Sequence, residues 1–269
     1  MHASLWLVSA LSASVLAAPK FPVFNTNTAI PEGLEALSDY FNLLASKVQQ
    51  NRHNQEAPAC DLSKIQQPTA SPPLPPVAAG LHLKHIAIGR GTQNYTCDVT
   101  NATAAPVATG AVATLFNASC LASAHRDLFG TLPRASMLFN LTLPSDSSVQ
   151  HLFPSNLNVS GHHFFNASGV PFFDLDTDPD MQLGRLPCTK NASSPAPADA
   201  ARGQRGEPAV PWLQLVAAEG ATGGLQEVYR LGTVGGSAPA TCEGMPANFE
   251  VQYSAEYWFY EGKPETEDV

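Results

Sequence analysis

Between Phe249 and Tyr260 the sequence alternates. Phe249, Val251, Tyr253, Ala255, Tyr257 and Phe259 occupy odd positions, and Glu250, Gln252, Ser254 and Glu256 even ones. Successive side chains of a strand point to opposite faces, so this period of two describes a strand with one buried face. Further strand candidates are Leu81–Ile88, Thr92–Val99, Ala111–Ala118, Ala135–Leu143, Leu157–Phe165, Trp212–Val216 and Leu225–Thr233. The glycines of Gly89-Arg90-Gly91 read as a hairpin between the first two. Short strands separated by Gly/Pro turns predict an all-β domain, a β-sandwich or a β-barrel-like fold. At the end of the last strand, Trp258 and Tyr260 place two large aromatics on the face that began polar. Either something covers them, or they form a stacking platform for a sugar ring.

A cover is available in the sequence. Leu34, Leu37, Phe41, Leu44 and Val48 recur at three- and four-residue steps, which predicts one N-terminal amphipathic helix over residues 31–50. Residues 67–80 hold five prolines and read as an extended linker wrapping a surface. The resulting organisation is a signal peptide over residues 1–17, a helical segment over 18–58 and a Pro-rich linker over 59–80. A β domain follows over 81–260 with an exposed low-complexity loop at 191–209, and a polar tail over 261–269. Leu5 to Leu16 is apolar and uncharged, and Ala17 offers a small residue for signal cleavage. Beyond it no apolar run reaches the roughly 18 residues of a membrane span.

Seven asparagines, Asn94, Asn101, Asn117, Asn140, Asn158, Asn166 and Asn191, begin N-x-S/T acceptor sequences without an intervening proline. Sugar-bearing asparagines face solvent, so strand parity turns Tyr95 and Cys97, Phe116 and Cys120, and Met137, Phe139 and Leu141 inward. Five cysteines, Cys60, Cys97, Cys120, Cys188 and Cys242, show no zinc-like spacing. In an oxidising compartment they predict two disulfides and one thiol. Parity makes Cys97 and Cys120 candidates to pair with each other. These features place the chain outside the cell, secreted or in the cell wall. A net charge of −9 disfavours nucleic acid and anionic membrane surfaces as partners.

Several segments are distinctive together: GRGTQNYTC at 89–97, GAVATLFNASC at 110–120, GHHFF at 161–165, VPWL at 210–213, TVGGSAP at 233–239 and YSAEYWFY at 253–260. The combination resembles the secreted fungal branch of the domain of unknown function family 3455, from Cys60 to Tyr260. The resemblance implies no activity that can be assigned to residues. Fungal members often bear the label malate dehydrogenase. Dinucleotide binding requires a strand, a Gly-rich turn and a helix that meets the pyrophosphate. Here Asn94 stands where the third glycine belongs, in a strand-like segment. No cofactor is expected.

The remaining chemistry is sparse. Asp174, Asp176 and Asp178 alternate as calcium ligands do, but Pro179 takes the place of an EF-hand glycine, and a solvated acidic turn is the simpler reading. His82, His85, His125, His151, His162 and His163 form no metal-binding spacing, and parity sends His162 outward and His163 inward. There is no G-x-S-x-G elbow. Asp127 and Glu219 are conceivable glycosidase carboxylates, and Trp212 reads as core. The expectation is a non-catalytic extracellular surface, wall-associated or interaction glycoprotein whose partners are extracellular glycans or cell-wall components. The alternative is an extracellular carbohydrate-active or metal-assisted enzyme.

Overall fold

The computed structural model describes residues 31–52, 60–141, 151–177 and 179–262. The segment read as a signal peptide lies outside them. The described residues form nine strands: β1 (His82–Thr96), β2 (Val107–Asn117), β3 (His151–Leu152), β4 (Leu157–Phe165), β5 (Pro171–Asp174), β6 (Arg185–Ser194), β7 (Trp212–Ala217), β8 (Leu225–Gly235) and β9 (Asn248–Glu261). Helices are α1 (Pro31–Asn51), α2 (Ser119–Ala124) and α3 (Arg126–Ser136).

The sheet order runs β2-β1-β9-β8-β7-β6-β5-β4, and β2 also pairs with β4. That last pairing closes the eight strands into an antiparallel barrel. The short β3 adds to β4 through His151 and Leu152, which lie opposite Asn158 and Leu157. The all-β expectation holds, and of its two forms the barrel is the one adopted.

The alternation of β9 sorts the two faces. Tyr253, Ala255, Tyr257 and Phe259 point into the barrel, where they pack with Ala87, Leu115, Phe173, Leu186, Leu215 and Val228. Trp258 and Tyr260 point outward into a second apolar cluster with Ile86, Ile88, Phe129, Leu132 and Tyr229. The barrel therefore has a filled interior and a covered exterior patch. The cover explains why the outer face of β9 turns aromatic.

Three expectations about elements need correction. Gly89-Arg90-Gly91 is no hairpin: β1 runs unbroken through it and pairs with β2 and β9 on either side. A Cβ on Gly89 would collide with the Tyr257 ring, and one on Gly91 with the backbone of Val112 and Ala113. These glycines make room inside the barrel and turn nothing. Residues 142 and 143 lie outside the described residues, and residues 135–141 are not a strand. The chain there is the end of α3 and the turns after it, and Leu128, Phe129, Leu132 and Ala135 bury one helical face. Finally, β6 extends to Ser194, so the segment read as loop from residue 191 begins as strand.

The cover of Trp258 comes from α3. Phe129 meets the indole edge to face, with centroids 6.2 Å apart, and Arg126 lies over both rings. The indole Nε1 donates to Glu256 3.0 Å away, and Glu256 faces Arg126. Burial raises the Glu256 carboxyl above its ordinary pKa, and Arg126 opposes that shift. α1 packs on α3 and enters the same cluster through Tyr40, Leu43 and Leu44, with Lys47 bonded to Asp127. Its buried face is turned about a quarter turn from the predicted stripe, at 100° per residue. Leu34, Phe41 and Val48 are left about half exposed.

The Pro-rich segment lies against the barrel's outer surface. Ser194 donates to Pro72 O, and the Tyr229 hydroxyl lies 3.0 Å from Pro75 O. Ala78 N donates to Glu227 and Tyr260 to Gln67. Cys60 joins Cys120, and Cys97 joins Cys242, while Cys188 is a buried free thiol. Cys97 and Cys120 are thus both cross-linked, but not to each other. Strand parity fails at Cys120 because that residue sits in α2, where successive side chains do not alternate.

Candidate functional site

The polar groups inside the barrel gather around Tyr253 and Tyr257, whose hydroxyls are 2.7 Å apart. Arg230 reaches Pro211 O from the same interior and helps hold the Tyr257 hydroxyl. Desolvation raises both tyrosines above their ordinary pKa, Tyr257 strongly. His163 stacks on Phe173 at 4.2 Å and donates from Nδ1 to Phe172 O. Burial brings its pKa down to about 4, so the ring is neutral. Parity assigned it inward correctly. Tyr253, Tyr257, Phe173 and Phe259 are essentially without exposure, so this end of the barrel is packed. Burial pushes Cys188 up to about 12, which leaves its thiol inert.

A second buried cluster links strands to α2. His85 Nδ1 lies 3.0 Å from Ser119 Oγ, and Nε2 lies 2.9 Å from Ser160 Oγ. Ser119 Oγ also accepts from Ile86 N. All three side chains are buried, and burial lowers His85 to about 4. A serine held by an imidazole invites a nucleophile reading. Here both serines are enclosed, and the hydroxyls serve to satisfy a buried histidine.

A concave site lies on the outer face, between β1, β2 and residues on either side of the connection from α3 to β3. It encloses ≈ 30 Å³. Its polar lining is Arg90, Thr114, Ser136, Asn140 and His151, and its walls are Phe116, Phe139 and Phe153. Arg90 is only 5% exposed. Its Nη1 donates to Gly91 O and Tyr253 O, and its Nη2 to Phe139 O and the Gln252 side chain. Every one of these acceptors is neutral. Among the described residues no carboxylate lies within ion-pair distance of Arg90. Among the described residues its Nε has no acceptor, and the buried Nδ1 of His151 has no hydrogen-bond partner. Desolvation lowers the guanidinium to about 9.

The predicted site residues are placed as follows. Arg185 lies near Asp174 Oδ1 and Asp176 Oδ2, Asp174 Oδ1 accepts from Asp176 N, and Asp176 Oδ1 accepts from Gly184 N at 2.7 Å. Asp178 lies outside the described residues. No group of three metal-ligating side chains occurs among the described residues. Trp258 and Tyr260 are 0% and 7% exposed and present no stacking platform, because α3 and the Pro-rich segment cover them. Asn101, Asn140, Asn158 and Asn191 are exposed, while Asn94, Asn117 and Asn166 are half-buried. Asn140 lines the cleft, and Asn158 pairs with His151 at its edge. Arg90 was missed as a site residue in the sequence, because a residue between two glycines of a strand carries no chemical signature.

Residues 77–261 match a family model described as a protein of unknown function (DUF3455). The chain belongs to this family. No curated protein and no solved structure matches it. In this DUF3455 protein the matched region contains the whole barrel, α2 and α3. Gly89 and Gly91 lie mid-strand in an antiparallel barrel, whereas a dinucleotide fingerprint joins a parallel strand to a helix N-terminus. Among the described residues no helix is long and apolar enough to cross a membrane.

Proposed function

We propose that this DUF3455 protein is a secreted glycoprotein with a non-catalytic role, an extracellular surface, wall-associated or interaction protein. Its partners are extracellular glycans or cell-wall components. The observation that carries the reading is the placement of the acceptor asparagines, four of which stand exposed on the barrel and its connections. Two disulfides linking distant segments fit the same oxidising compartment. The chemistry of the described residues agrees: the His85–Ser119 pair is enclosed, and the paired aspartates are occupied by Arg185. Expression with the full N-terminus in a fungal host tests the reading. The expected product is found in the medium, lacks residues 1–17 and loses several kilodaltons on enzymatic removal of N-glycans. A glycan and polysaccharide array with that product then tests the partner class. An intracellular product with Met1 retained and no change in mass overturns the proposal.

A further inference from the structure

We infer that the Arg90 cleft is a binding site for a single carboxylate group, belonging either to a small free acid or to the uronic-acid residue of a sugar chain. The inference stands apart from the question of secretion, since it concerns the folded chain alone. It begins with a count of hydrogen bonds. A guanidinium has five N–H donors. Four of those on Arg90 meet neutral acceptors, and the Nε–H meets none among the described residues. A buried charge without a counter-charge is costly, and an opposite charge brought within about 4–6 Å relieves it.

The acid that neighbours Arg90 in register on this face does not supply that charge. Glu256 lies opposite Ile88, two residues along β1, and is held by Arg126 and Trp258. The cleft is where a charge can enter. It opens beside Arg90, and His151 contributes a second nitrogen that has no partner among the described residues. The Thr114 hydroxyl and the Asn140 amide add neutral donors. An anion facing a cation accepts charge-assisted bonds that are shorter and about twice as strong as neutral ones.

Size and charge narrow the ligand. A volume of ≈ 30 Å³ admits two or so water-sized groups, enough for a carboxylate head and too little for a whole sugar ring. A ring attached to that carboxylate would remain at the mouth, beside Phe139 and Phe153, whose centroids are 6.0 Å apart. The net charge of −9 opposes long polyanions and leaves one local carboxylate as the favoured guest.

The test uses the full mature protein and follows the Arg90 Nε–H resonance together with the melting temperature. Sodium formate, sodium acetate and galacturonate are titrated at constant ionic strength, with sodium chloride and neutral galactose as controls. The expected result is a saturable shift and a raised melting temperature with the carboxylates and neither effect with the controls. Binding of formate and acetate alone identifies a free acid as the source; tighter binding of galacturonate identifies a sugar acid. Arg90→Gln abolishes the effect. Should that variant fail to fold, His151→Phe and Thr114→Val at the rim carry the test, each weakening binding about tenfold, the worth of one hydrogen bond. Chloride acting as acetate does would mean an adventitious ion only. That result, the absence of saturation with every carboxylate, or unchanged affinity in both rim variants overturns the inference.

Discussion

Ser119 and Ser160 each belong to an acceptor sequence, the first begun by Asn117 and the second by Asn158, yet both hydroxyls are buried against His85. One assignment satisfies every group. Ser119 donates to Nδ1 and accepts from Ile86 N, while Nε2–H donates to Ser160, which faces Leu115 O. These two serines therefore have a structural reason to be present whether or not a sugar is attached. The two routes to deleting the Asn158 acceptor sequence should then differ. Asn158→Gln alters an exposed side chain and leaves stability within about 0.5 kcal/mol. Ser160→Ala orphans a buried N–H and costs about 1–3 kcal/mol. Urea denaturation of the enzymatically deglycosylated proteins compares them, and equal stabilities would remove the bridge as an explanation. The same histidine gives a pH dependence. His85 faces Ser119, Ser160 and Phe259, and His163 faces Phe172 O, Phe173, Tyr257 and Arg230, with no carboxylate among these neighbours. Both have folded pKa values of about 4 against an ordinary 6.5. The unfolded chain binds more protons between those values, so stability is full above about pH 6.5 and falls as the pH drops toward 4. Each ring contributes about 1.4 kcal/mol per pH unit at most. Glu256 opposes this, since its raised pKa favours the fold when protonated, but it is one group against two. Unfolding free energies from denaturant titrations at pH 7 and pH 4.5 should differ by a few kcal/mol, and His163→Asn should shrink the difference.

At the scale of elements, what the sequence revealed depended on whether burial was one-sided. β9 alternates and was legible to within a residue of each end. β5 and β6 were not, because Phe172-Phe173 and Leu186-Pro187-Cys188 are short apolar runs without alternation. α3 was hidden by Gly130 and Pro133, which break a helical pattern on paper but are accommodated here. The face of α1 was misread because Tyr40 and Ala36, rather than Phe41 and Leu34, turn toward α3. The cleft had no sequence signal, since Arg90, Thr114 and His151 come together only through strand pairing. The corrected arrangement changes what a truncation does. If α1 covered Trp258 directly, removing it would expose the indole; with α3 in that position, it stays buried. A protein lacking residues 18–52 should lose the few kcal/mol contributed by Tyr40, Leu43 and Leu44, at about 1.5–3 kcal/mol for each fully buried side chain. It should nevertheless keep a blue tryptophan emission. A red-shifted native spectrum would return the covering role to α1. Phe129→Ala, by contrast, opens the edge of Trp258 and should cost about 3–5 kcal/mol.

For the molecule as a whole, the two disulfides close loops of different length and hold different layers. Cys97 lies just past β1, and Cys242 lies in the connection from β8 to β9, 145 residues away. The chain-entropy relation gives about 5 kcal/mol for a loop of that length. The bond joins elements already side by side in the barrel: Thr96 faces Asn248, and Cys97 N donates to Ala247 O. Cys60–Cys120 spans 60 residues and is worth about 4 kcal/mol by the same relation. It ties the start of the Pro-rich cover to α2, next to the His85 bridge, where Ser123 and Asp61 also exchange hydrogen bonds. Comparable stabilising energies should thus produce different failures. Replacing Cys97 and Cys242 by serine releases the barrel itself, so fluorescence and far-ultraviolet dichroism should lose signal together at a lower guanidinium concentration. Replacing Cys60 and Cys120 by alanine loosens the cover first. Trp212 and Trp258, both in the outer cluster, should respond at lower denaturant than the β-sheet signal does. Coincident transitions in both variants would show that cover and barrel unfold as one cooperative unit, and that the two apolar layers are not separable in stability.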